Sequence, residues 1–221
     1  MKNVLIEQLQ TVMPQSMQIP QEIKLLYQYL EDNRLYIDRN GCRYGLLYPE
    51  EALKASWTET GRDGGTRITF YPGGTQHLKY WFNCADTTEL EQRLCVFAQT
   101  GSEDSESAFW LNDQGELKII HMGSGSGSML SCVLADNAVD FLRLLAIGYD
   151  EICWGEDYPY PPNESPYTDR IIQPNIPFQN WVTQTFGVNI PKTALEIVQH
   201  PADMDDEESE DEFFNWIQKW T

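Results

Sequence analysis

The stretch that decides the fold is residues 108–149, AFWLNDQGELKIIHMGSGSGSMLSCVLADNAVDFLRLLAIGY. Its first part consists of two apolar runs, Phe109–Leu111 and Leu117–Ile120, on either side of the turn sequence NDQG at residues 112–115. Short apolar runs that flank a Gly-containing turn are typical of an antiparallel β-hairpin. We therefore expect two paired strands joined by a tight turn.

An amphipathic helix is predicted for the last part of this stretch. Asp136 or Asn137 can accept hydrogen bonds from the first free amides of a helix, and Gly148 suits a left-handed C-terminal cap. Apolar residues between these caps recur at helical spacing on one face, so we expect the hairpin and the helix to share one core. The apolar positions are Ala138, Phe141, Leu142, Leu145 and Ala146.

Two helices and a second hairpin are predicted before this stretch. Apolar residues at helical spacing predict helices over residues 5–13 and 20–30. Residues 66–71 are rich in β-formers and residues 77–83 alternate apolar with polar, which predicts a hairpin around a loop at residues 72–75. The remaining predictions for this region are a short helix beginning near Asp86, a strand over Leu94–Ala98 and an exposed polar loop over Thr100–Ser107.

The last third of the chain is predicted to be less regular. Residues 157–177 are rich in Pro and Tyr, which favours an irregular strap over the body of the protein. A helix face over residues 178–186 follows, and Pro191 suits the start of another helix. Residues 203–212, called here the acidic segment, precede a stripe of apolar residues that predicts a docked C-terminal helix over residues 213–220.

Length and composition favour one compact domain over residues 1–221. The chain is 41% hydrophobic and 12% aromatic, which is ordinary for a globular protein of this size. Its formal net charge is −19, with 15 Lys and Arg against 34 Asp and Glu. This charge disfavours binding to nucleic acid, because phosphate contacts need a basic surface. It favours a basic protein partner, with simple solubility as the alternative.

The cysteines and the N-terminal sequence indicate a cytoplasmic protein. An odd number of scattered cysteines predicts neither a disulfide framework nor a zinc site, and it fits a reducing compartment. The sequence MKNVLIEQLQ at residues 1–10 lacks the apolar core of a signal peptide, and no later run is long enough for a membrane helix. We therefore expect no export and no membrane partner. The cysteines are Cys42, Cys84, Cys95, Cys132 and Cys153.

The Gly/Ser loop at residues 123–128 invites comparison with phosphate-binding and nucleophile motifs. No lysine follows its glycines as a P-loop requires, and Ser128 stands where a dinucleotide fingerprint needs glycine. A nucleophile elbow needs glycines two residues on either side of the serine, whereas Ser126 has Ser124 and Ser128 there. A tight inter-strand connection is favoured over an anion site.

No catalytic or metal-binding pattern emerges from the histidines, the cysteines or the acidic segment. His77, His121 and His200 have no mutual spacing that suggests a ligand pair, and a Cys–His pair that meets only in space stays open. The acidic segment lacks the glycine and the ligand spacing of a calcium-binding loop. We expect no metal and no cofactor, and we interpret this segment as solvated or facing a partner.

Four blocks of the chain resemble the SUKH superfamily, specifically its Smi/Knr-like branch. They are similar in order to the family's Pro-initiated early helix, its strand-turn-strand, its capped helix and its C-terminal part. In this chain the blocks are Ile19–Tyr27, Ala108–Ile120, Ala135–Leu145, and Trp181–Val198 with Phe213–Trp220. Where family members often carry Gly-Asp or Gly-Gly before the hairpin, this chain has a longer acidic stretch at residues 101–107.

The resemblance implies an α+β domain with a mixed, mostly antiparallel central sheet flanked by helices, and neither a catalytic centre nor a cofactor. Bacterial members of the family are associated with immunity against polymorphic toxins, many of them nucleases. Fungal members are associated with the regulation of cell-wall assembly through protein contacts.

The first functional hypothesis is therefore a non-enzymatic immunity protein that neutralises a basic toxin, for example a nuclease. Acidic residues would steer the toxin, and exposed tyrosines of the strap would anchor the contact. The candidate partner-binding residues are Glu103, Asp104, Glu106, Tyr158, Tyr160, Tyr167, Asp205, Asp206, Glu207 and Glu208. The alternatives are a scaffold or regulatory interaction module unrelated to toxins, and a hydrolase whose Cys, His or carboxylate groups assemble in space. The sequence leaves the oligomeric state open.

Overall fold

The hairpin predicted from residues 108–149 forms the fifth and sixth strands of the seven-stranded main sheet. Strands β6 (Glu106–Leu111) and β7 (Leu117–Met122) pair antiparallel from Glu106↔Met122 to Leu111↔Leu117. The side chain of Asn112 holds the turn, since its Oδ1 accepts hydrogen bonds from the amides of Gln114 at 3.1 Å and Glu116 at 2.8 Å. The predicted hairpin is confirmed.

The computed structural model describes residues 2–52, 61–62, 68–82, 86–101, 103–167 and 171–220. Residues 50–52 are helical, and the α-helices with both ends described are α1 (Val4–Val12), α2 (Gln21–Asp32), α3 (Leu78–Trp81), α4 (Thr88–Arg93), α5 (Ala138–Ile147), α6 (Ile176–Phe186) and α7 (Glu212–Ile217). The other strands are β1 (Tyr36–Arg39), β2 (Cys42–Leu46), β3 (Gly61–Arg62), β4 (Thr69–Gly74), β5 (Leu94–Gln99), β8 (Val133–Ala135) and β9 (Ile171–Ile172).

The main sheet follows the chain with one interruption. Its order is β1-β2-β4-β5-β6-β7-β8, and all of these described pairings are antiparallel. A parallel pairing occurs in a separate two-stranded sheet of β3 and β9. The α+β class with a mostly antiparallel central sheet and flanking helices is therefore confirmed.

Both faces of the main sheet are covered. Neighbouring side chains along a strand point to opposite faces, so Phe97 and Phe109 join one core while Val96 and Trp110 join the other. On the first face the rings of Phe97 and Phe109 stack at 4.1 Å, and Phe141 of α5 meets Phe97 edge-on at 5.5 Å. Helices α1, α2, α5 and α6 cover this face, and α3, α4 and α7 cover the other.

The predicted caps of helix α5 are present. Asn137 is the N-cap residue, and its side chain accepts a hydrogen bond from the amide of Asp140 at 3.0 Å. Gly148 ends the helix with φ +99°, a left-handed conformation that a residue with a Cβ atom adopts only at a cost. These two caps set the beginning and the end of the helix.

Replacement of Gly148 by alanine is expected to lower the free energy of unfolding by about 1 kcal/mol. An added Cβ would meet no atom within 4 Å, so the cost comes from the backbone conformation alone. Urea unfolding measures it. Gly148→Asn is the control, because asparagine tolerates this conformation better and should lose less. Equal losses in the two variants would contradict this reason.

The second hairpin predicted around residues 72–75 is wrong. Strand β4 continues through this loop to Gly74, and residues 78–81 form helix α3 instead of a strand. Leu78 and Phe82 are four residues apart and both enter the core, a spacing that suits a helix as well as an alternating strand. Residues 66–67 and 83 of the prediction lie outside the described residues.

The C-terminal third follows the predicted order. Helix α6 begins two residues earlier than predicted, and the two later elements are shorter than predicted. The strap begins with a 3₁₀ turn at Gly155–Asp157, and Pro191 precedes only another such turn, at Ala194–Glu196. Helix α7 covers the second face with Phe213, Trp216 and Ile217, and it ends three residues before Trp220. Within the described residues, no helix is both long enough and apolar enough to cross a membrane.

Candidate functional site

A groove of about 710 Å³ lies at the end of the sheet where β5 ends, β6 begins and β7 ends. We call it the acidic groove. Its lining brings together segments that are far apart in the sequence. The described residues that line it are the carboxylates Glu103, Asp104 and Glu106, the rings of Tyr71, His77, Tyr80 and Trp81, the side chains of Gln99 and Met204, and residues 123–126 of the Gly/Ser loop.

The predicted acidic residues 103–106 lie together in this groove. They belong to the tight connection between β5 and β6, in which the amide of Thr100 donates to the carbonyl of Ser105 at 2.8 Å. Asp104 adopts a left-handed conformation with φ +69°, and its carboxylate accepts a hydrogen bond from Gln99 at 3.3 Å. The predicted exposed loop over Thr100–Ser107 is wrong in length, because Glu106 and Ser107 already belong to β6. It is also wrong in exposure, because Thr100, Gly101 and Ser105 are buried.

Glu106 is half-buried in the groove. Its Oε1 accepts a hydrogen bond from the hydroxyl of Tyr71. Burial raises the pKa of the Glu106 carboxyl, and the bond from Tyr71 opposes this rise. The pKa of the Tyr71 hydroxyl is also raised, first by burial and then by the neighbouring carboxylate. A positively charged ligand would offset the cost of this half-buried negative charge.

The side chain of Glu103 fills space that is free only because residues 101 and 127 are glycines. A Cβ on Gly101 would lie 2.7 Å from a carboxylate oxygen of Glu103, and a Cβ on Gly127 would overlap its Cγ. The hydroxyl of Ser105 donates to Glu103 Oε1 at 2.7 Å. Close packing and this hydrogen bond therefore hold the carboxylate in one position.

Glu103 also belongs to the cluster that could hold a metal. Within the described residues, ligand atoms of Glu103, Glu151 and Cys153 lie within 4.8 Å of one another. Burial raises the pKa of the Cys153 thiol strongly, and the two carboxylates raise it further. The thiol therefore keeps its proton and donates to Glu151 at 3.7 Å.

Two aromatic side chains of the groove come from helix α3. Tyr80 is 76% exposed, whereas Trp81 is half-buried and its indole N–H donates to the carbonyl of Gly123 at 2.9 Å. The ammonium group of Lys79 lies 4.7 Å from the centroid of the Tyr80 ring. Sequence reasoning missed these rings because it assigned residues 77–83 to a strand. The helical spacing of His77, Tyr80 and Trp81 is the signal that could have found them.

The Gly/Ser loop forms one wall of the groove and is a tight connection. Gly123 packs so closely that a Cβ would lie 2.5 Å from the carbonyl oxygen of Ser128. Gly125 has φ +72°, and its amide donates to the same carbonyl at 3.0 Å. The nearby carboxylates make this loop unfavourable for an anion. Backbone packing therefore accounts for these glycines.

The acidic segment begins at the groove. Met204 lines the groove, and residues 205–208 follow it with all four carboxylate side chains exposed. The amide of Met204 donates to the carbonyl of Met129 at 2.8 Å, and the amide of Ser131 donates to Ala202 at 2.7 Å. These bonds hold the start of the segment to the chain that leads into β8. The chain therefore leaves the groove lining at Met204 and runs directly into the carboxylates predicted at residues 205–208.

The tyrosines predicted as anchors do not line the groove. Tyr158 is fully buried, and its hydroxyl donates to the carbonyl of Ile152 at 2.7 Å, so its prediction as an exposed contact residue is wrong. The apolar ring enters the core because its hydroxyl finds an acceptor there. Tyr167 is 65% exposed and Tyr160 is half-buried, and their rings meet edge-on at 6.4 Å.

Comparison of the chain with protein-family models, with curated proteins and with solved structures gave no match.

Three groups that bear on the predicted hydrolase alternative, His121, Cys95 and Cys132, are either fully hydrogen-bonded or protonated. Both nitrogens of the buried His121 ring are engaged, with the carbonyl of Leu130 at 2.7 Å and the hydroxyl of Thr100 at 2.8 Å. Burial raises the pKa of the Cys95 thiol to about 12 and raises that of Cys132 as well. These thiols stay protonated at neutral pH, which makes them poor nucleophiles. Cys84 lies outside the described residues.

Proposed function

We propose that this protein is a non-enzymatic, acidic protein-binding domain of the immunity type. It acts in the cytoplasm by covering the active site or the substrate-binding surface of a basic toxin, for example a nuclease. The observation that carries the proposal is the acidic groove and its continuity with the exposed carboxylates of residues 205–208.

The charge of this surface suits a basic partner. The groove and the start of the acidic segment present Glu103, Asp104 and Glu106 next to residues 205–208. Complementary fields raise association rates by about 10 to 10³-fold, and salt screens them. A toxin that acts on nucleic acid needs a basic surface, which is the surface that such a partner would cover.

The groove also offers the aromatic rings that binding hot spots use. Tyr80 and Trp81 stand on a short helix that is anchored in the core by Leu78 at its start and by Phe82 directly after its end. Rigid aromatic side chains contribute large contact area at little entropic cost. Steering by carboxylates and anchoring by rings therefore occur on one surface.

The resemblance to the SUKH superfamily supports the same proposal, because bacterial members of that family are associated with immunity against polymorphic toxins. The α+β architecture fits what the resemblance implies. Both ring nitrogens of His121 are hydrogen-bonded, and the thiol of Cys95 is protonated at neutral pH. These states support a binding role over catalysis by these groups.

Co-expression with the product of the neighbouring gene tests this function. We expect the protein to restore growth of cells that make the toxin, and to form a complex with it that weakens as salt rises. A variant that combines Asp205→Asn, Glu207→Gln and Glu208→Gln should slow association about tenfold at low salt. The control neutralises three carboxylates of helices α1, α2 and α4, namely Glu7→Gln, Asp32→Asn and Glu91→Gln.

The expected outcome is a much smaller effect of the control, since its total charge changes by the same amount at distant positions. Failure to restore growth, together with the lack of a salt-sensitive complex, would overturn the proposal. A complex with a partner that is not a toxin would favour a regulatory interaction module instead.

A further inference from the structure

The charge of the residues that line the acidic groove favours a cationic ligand. It presents three carboxylates, and its described lining residues include neither lysine nor arginine. Glu106 is half-buried, so its charge is costly in the absence of a positive partner. These features favour a positively charged group that reaches into the groove.

The rings of Tyr80 and Trp81 on one side of the groove favour a planar cation, such as a guanidinium group. The indole N–H of Trp81 is fixed by the carbonyl of Gly123, so the orientation of its ring is set before any ligand arrives. The chain's own Lys79 already places its ammonium group 4.7 Å from the ring centroid of Tyr80. A guanidinium group gains more than an ammonium group at such a place, because it stacks on a ring and bonds to carboxylates at the same time.

The carboxylates are held in position for such a group. Glu103 is fixed by Ser105 and by its close packing against Gly101 and Gly127, and Glu106 is fixed by the hydroxyl of Tyr71. Preorganised acceptors lose little entropy when a ligand binds. The guanidinium group of arginine has five N–H donors in one rigid plane and forms bidentate pairs with carboxylates.

We propose that the acidic groove receives the side chain of an arginine presented by the basic partner, with its guanidinium group between the rings of α3 and the carboxylates of residues 103–106. This inference rests on the proposed function, because it names the group of the partner that the groove recognises. The acidic segment then acts in steering, and the groove acts in recognition.

The test uses the ¹⁵N-labelled full-length protein and the peptide acetyl-Gly-Ser-Arg-Ser-Gly-amide. We expect saturable shifts of the Trp81 indole signal and of the amide signals of residues 123–126. The same peptide with lysine in place of arginine should bind about tenfold more weakly. The peptide with citrulline, which is similar in shape but neutral, should leave these signals unmoved.

Variants separate specific recognition from general attraction. Glu106→Gln keeps an acceptor for Tyr71 and should weaken arginine binding about tenfold. Tyr80→Ser changes a side chain that is 76% exposed, so it should preserve the fold while weakening binding about fivefold. Glu208→Gln removes the same charge outside the groove and should change binding less than about twofold.

Equal binding of the arginine and lysine peptides would overturn the inference, as would equal losses in Glu106→Gln and Glu208→Gln. The absence of saturable shifts in the groove would overturn it too. If the partner complex forms while the arginine peptide leaves the groove signals unmoved, this inference fails and the proposed function stands. If the groove binds the arginine peptide saturably but the protein fails to restore growth, the proposed function fails and arginine recognition by the groove stands.

Discussion

Replacement of Asp211 by alanine is expected to loosen helix α7 from the sheet and to lower the free energy of unfolding by about 3 kcal/mol. Asp211 is the buried N-cap residue of this helix, and its Oδ1 accepts a hydrogen bond from the amide of Phe214 at 2.8 Å. Its Oδ2 accepts another from the amide of Val133 in β8 at 2.9 Å. One carboxylate therefore joins the helix to the edge strand of the sheet.

The large loss of stability in Asp211→Ala comes from the amides of Phe214 and Val133, which lose their hydrogen-bond acceptor. Alanine removes the helix cap and leaves two amides without their acceptor, each at a cost of roughly 1 kcal/mol or more. Phe213 and Trp216 depend on this helix to cover the second face. Hydrogen exchange should therefore show earlier opening of residues 212–217 than of α5.

Urea unfolding followed by tryptophan fluorescence measures the loss. The matched control is Glu208→Ala, which removes one exposed carboxylate from the same segment and should change the free energy of unfolding by less than about 0.5 kcal/mol. Asp211→Asn should fall between the two, since its amide group keeps one acceptor oxygen. Equal losses in Asp211→Ala and Glu208→Ala would assign the effect to charge and contradict this account.

The fold was predictable where the signals are local. The NDQG turn, the Asn137 cap and the left-handed Gly148 each act within a few residues, and each is present as expected. Residues 77–83 were assigned to a strand, although residues 78–81 form a helix, because local spacing alone does not decide between the two. Leu78 and Phe82 fit both an alternating strand and one helical turn, and the choice depends on packing against the second face.

The groove was only half predictable for a related reason. Charge and composition indicated the carboxylates at 103–106 and 205–208, because acidic residues stand out in any sequence. The rings of α3 and the wall at 123–126 join them only through the register of β5, β6 and β7. The same limit explains Tyr158, since no local signal tells a buried tyrosine from an exposed one.

Strand register also places a titratable group directly behind the groove. His121 in β7 bonds to Thr100, which precedes the loop of Glu103, and to Leu130, which follows the Gly/Ser loop. A carbonyl oxygen can only accept, so the Nδ1–H donates to Leu130. Burial lowers the pKa of the ring to about 4, so at neutral pH the Nε2 carries no proton and accepts from the hydroxyl of Thr100. The ring is therefore neutral, and it ties together the two loops that form the groove.

Acid is expected to destabilise the protein through this histidine. Burial lowers the pKa of His121 from 6.5 to about 4 in the folded protein, whereas the unfolded chain keeps the ordinary value. Above pH 6.5 both states carry a neutral ring, so the group adds no pH dependence. Between pH 6.5 and 4 the His121 ring binds a proton in the unfolded state but stays neutral in the folded state. The free energy of unfolding therefore falls by roughly 3 kcal/mol over this window and levels off below it.

Comparison with His121→Gln isolates this contribution, because glutamine can still donate to Leu130 and carries no titrating group. The variant should show a flatter dependence of stability on pH between 6.5 and 4, whatever its stability at neutral pH. Glu106, Asp203 and Asp211 have raised pKa values and act in the opposite direction, but they are present in both proteins. His200→Gln, on the exposed side of the chain, should keep the acid-induced loss because His121 remains.

Nitrogen NMR of the imidazole rings checks the cause directly. The His121 ring should keep a protonated Nδ1 and an unprotonated Nε2 from pH 7.5 down to about 5, because burial disfavours the charged ring. Protonation of His121 near pH 6.5 would contradict this account even if the protein lost stability in acid. Because this neutral ring joins the two loops of the groove, the signals of residues 123–126 should keep their positions over the same range.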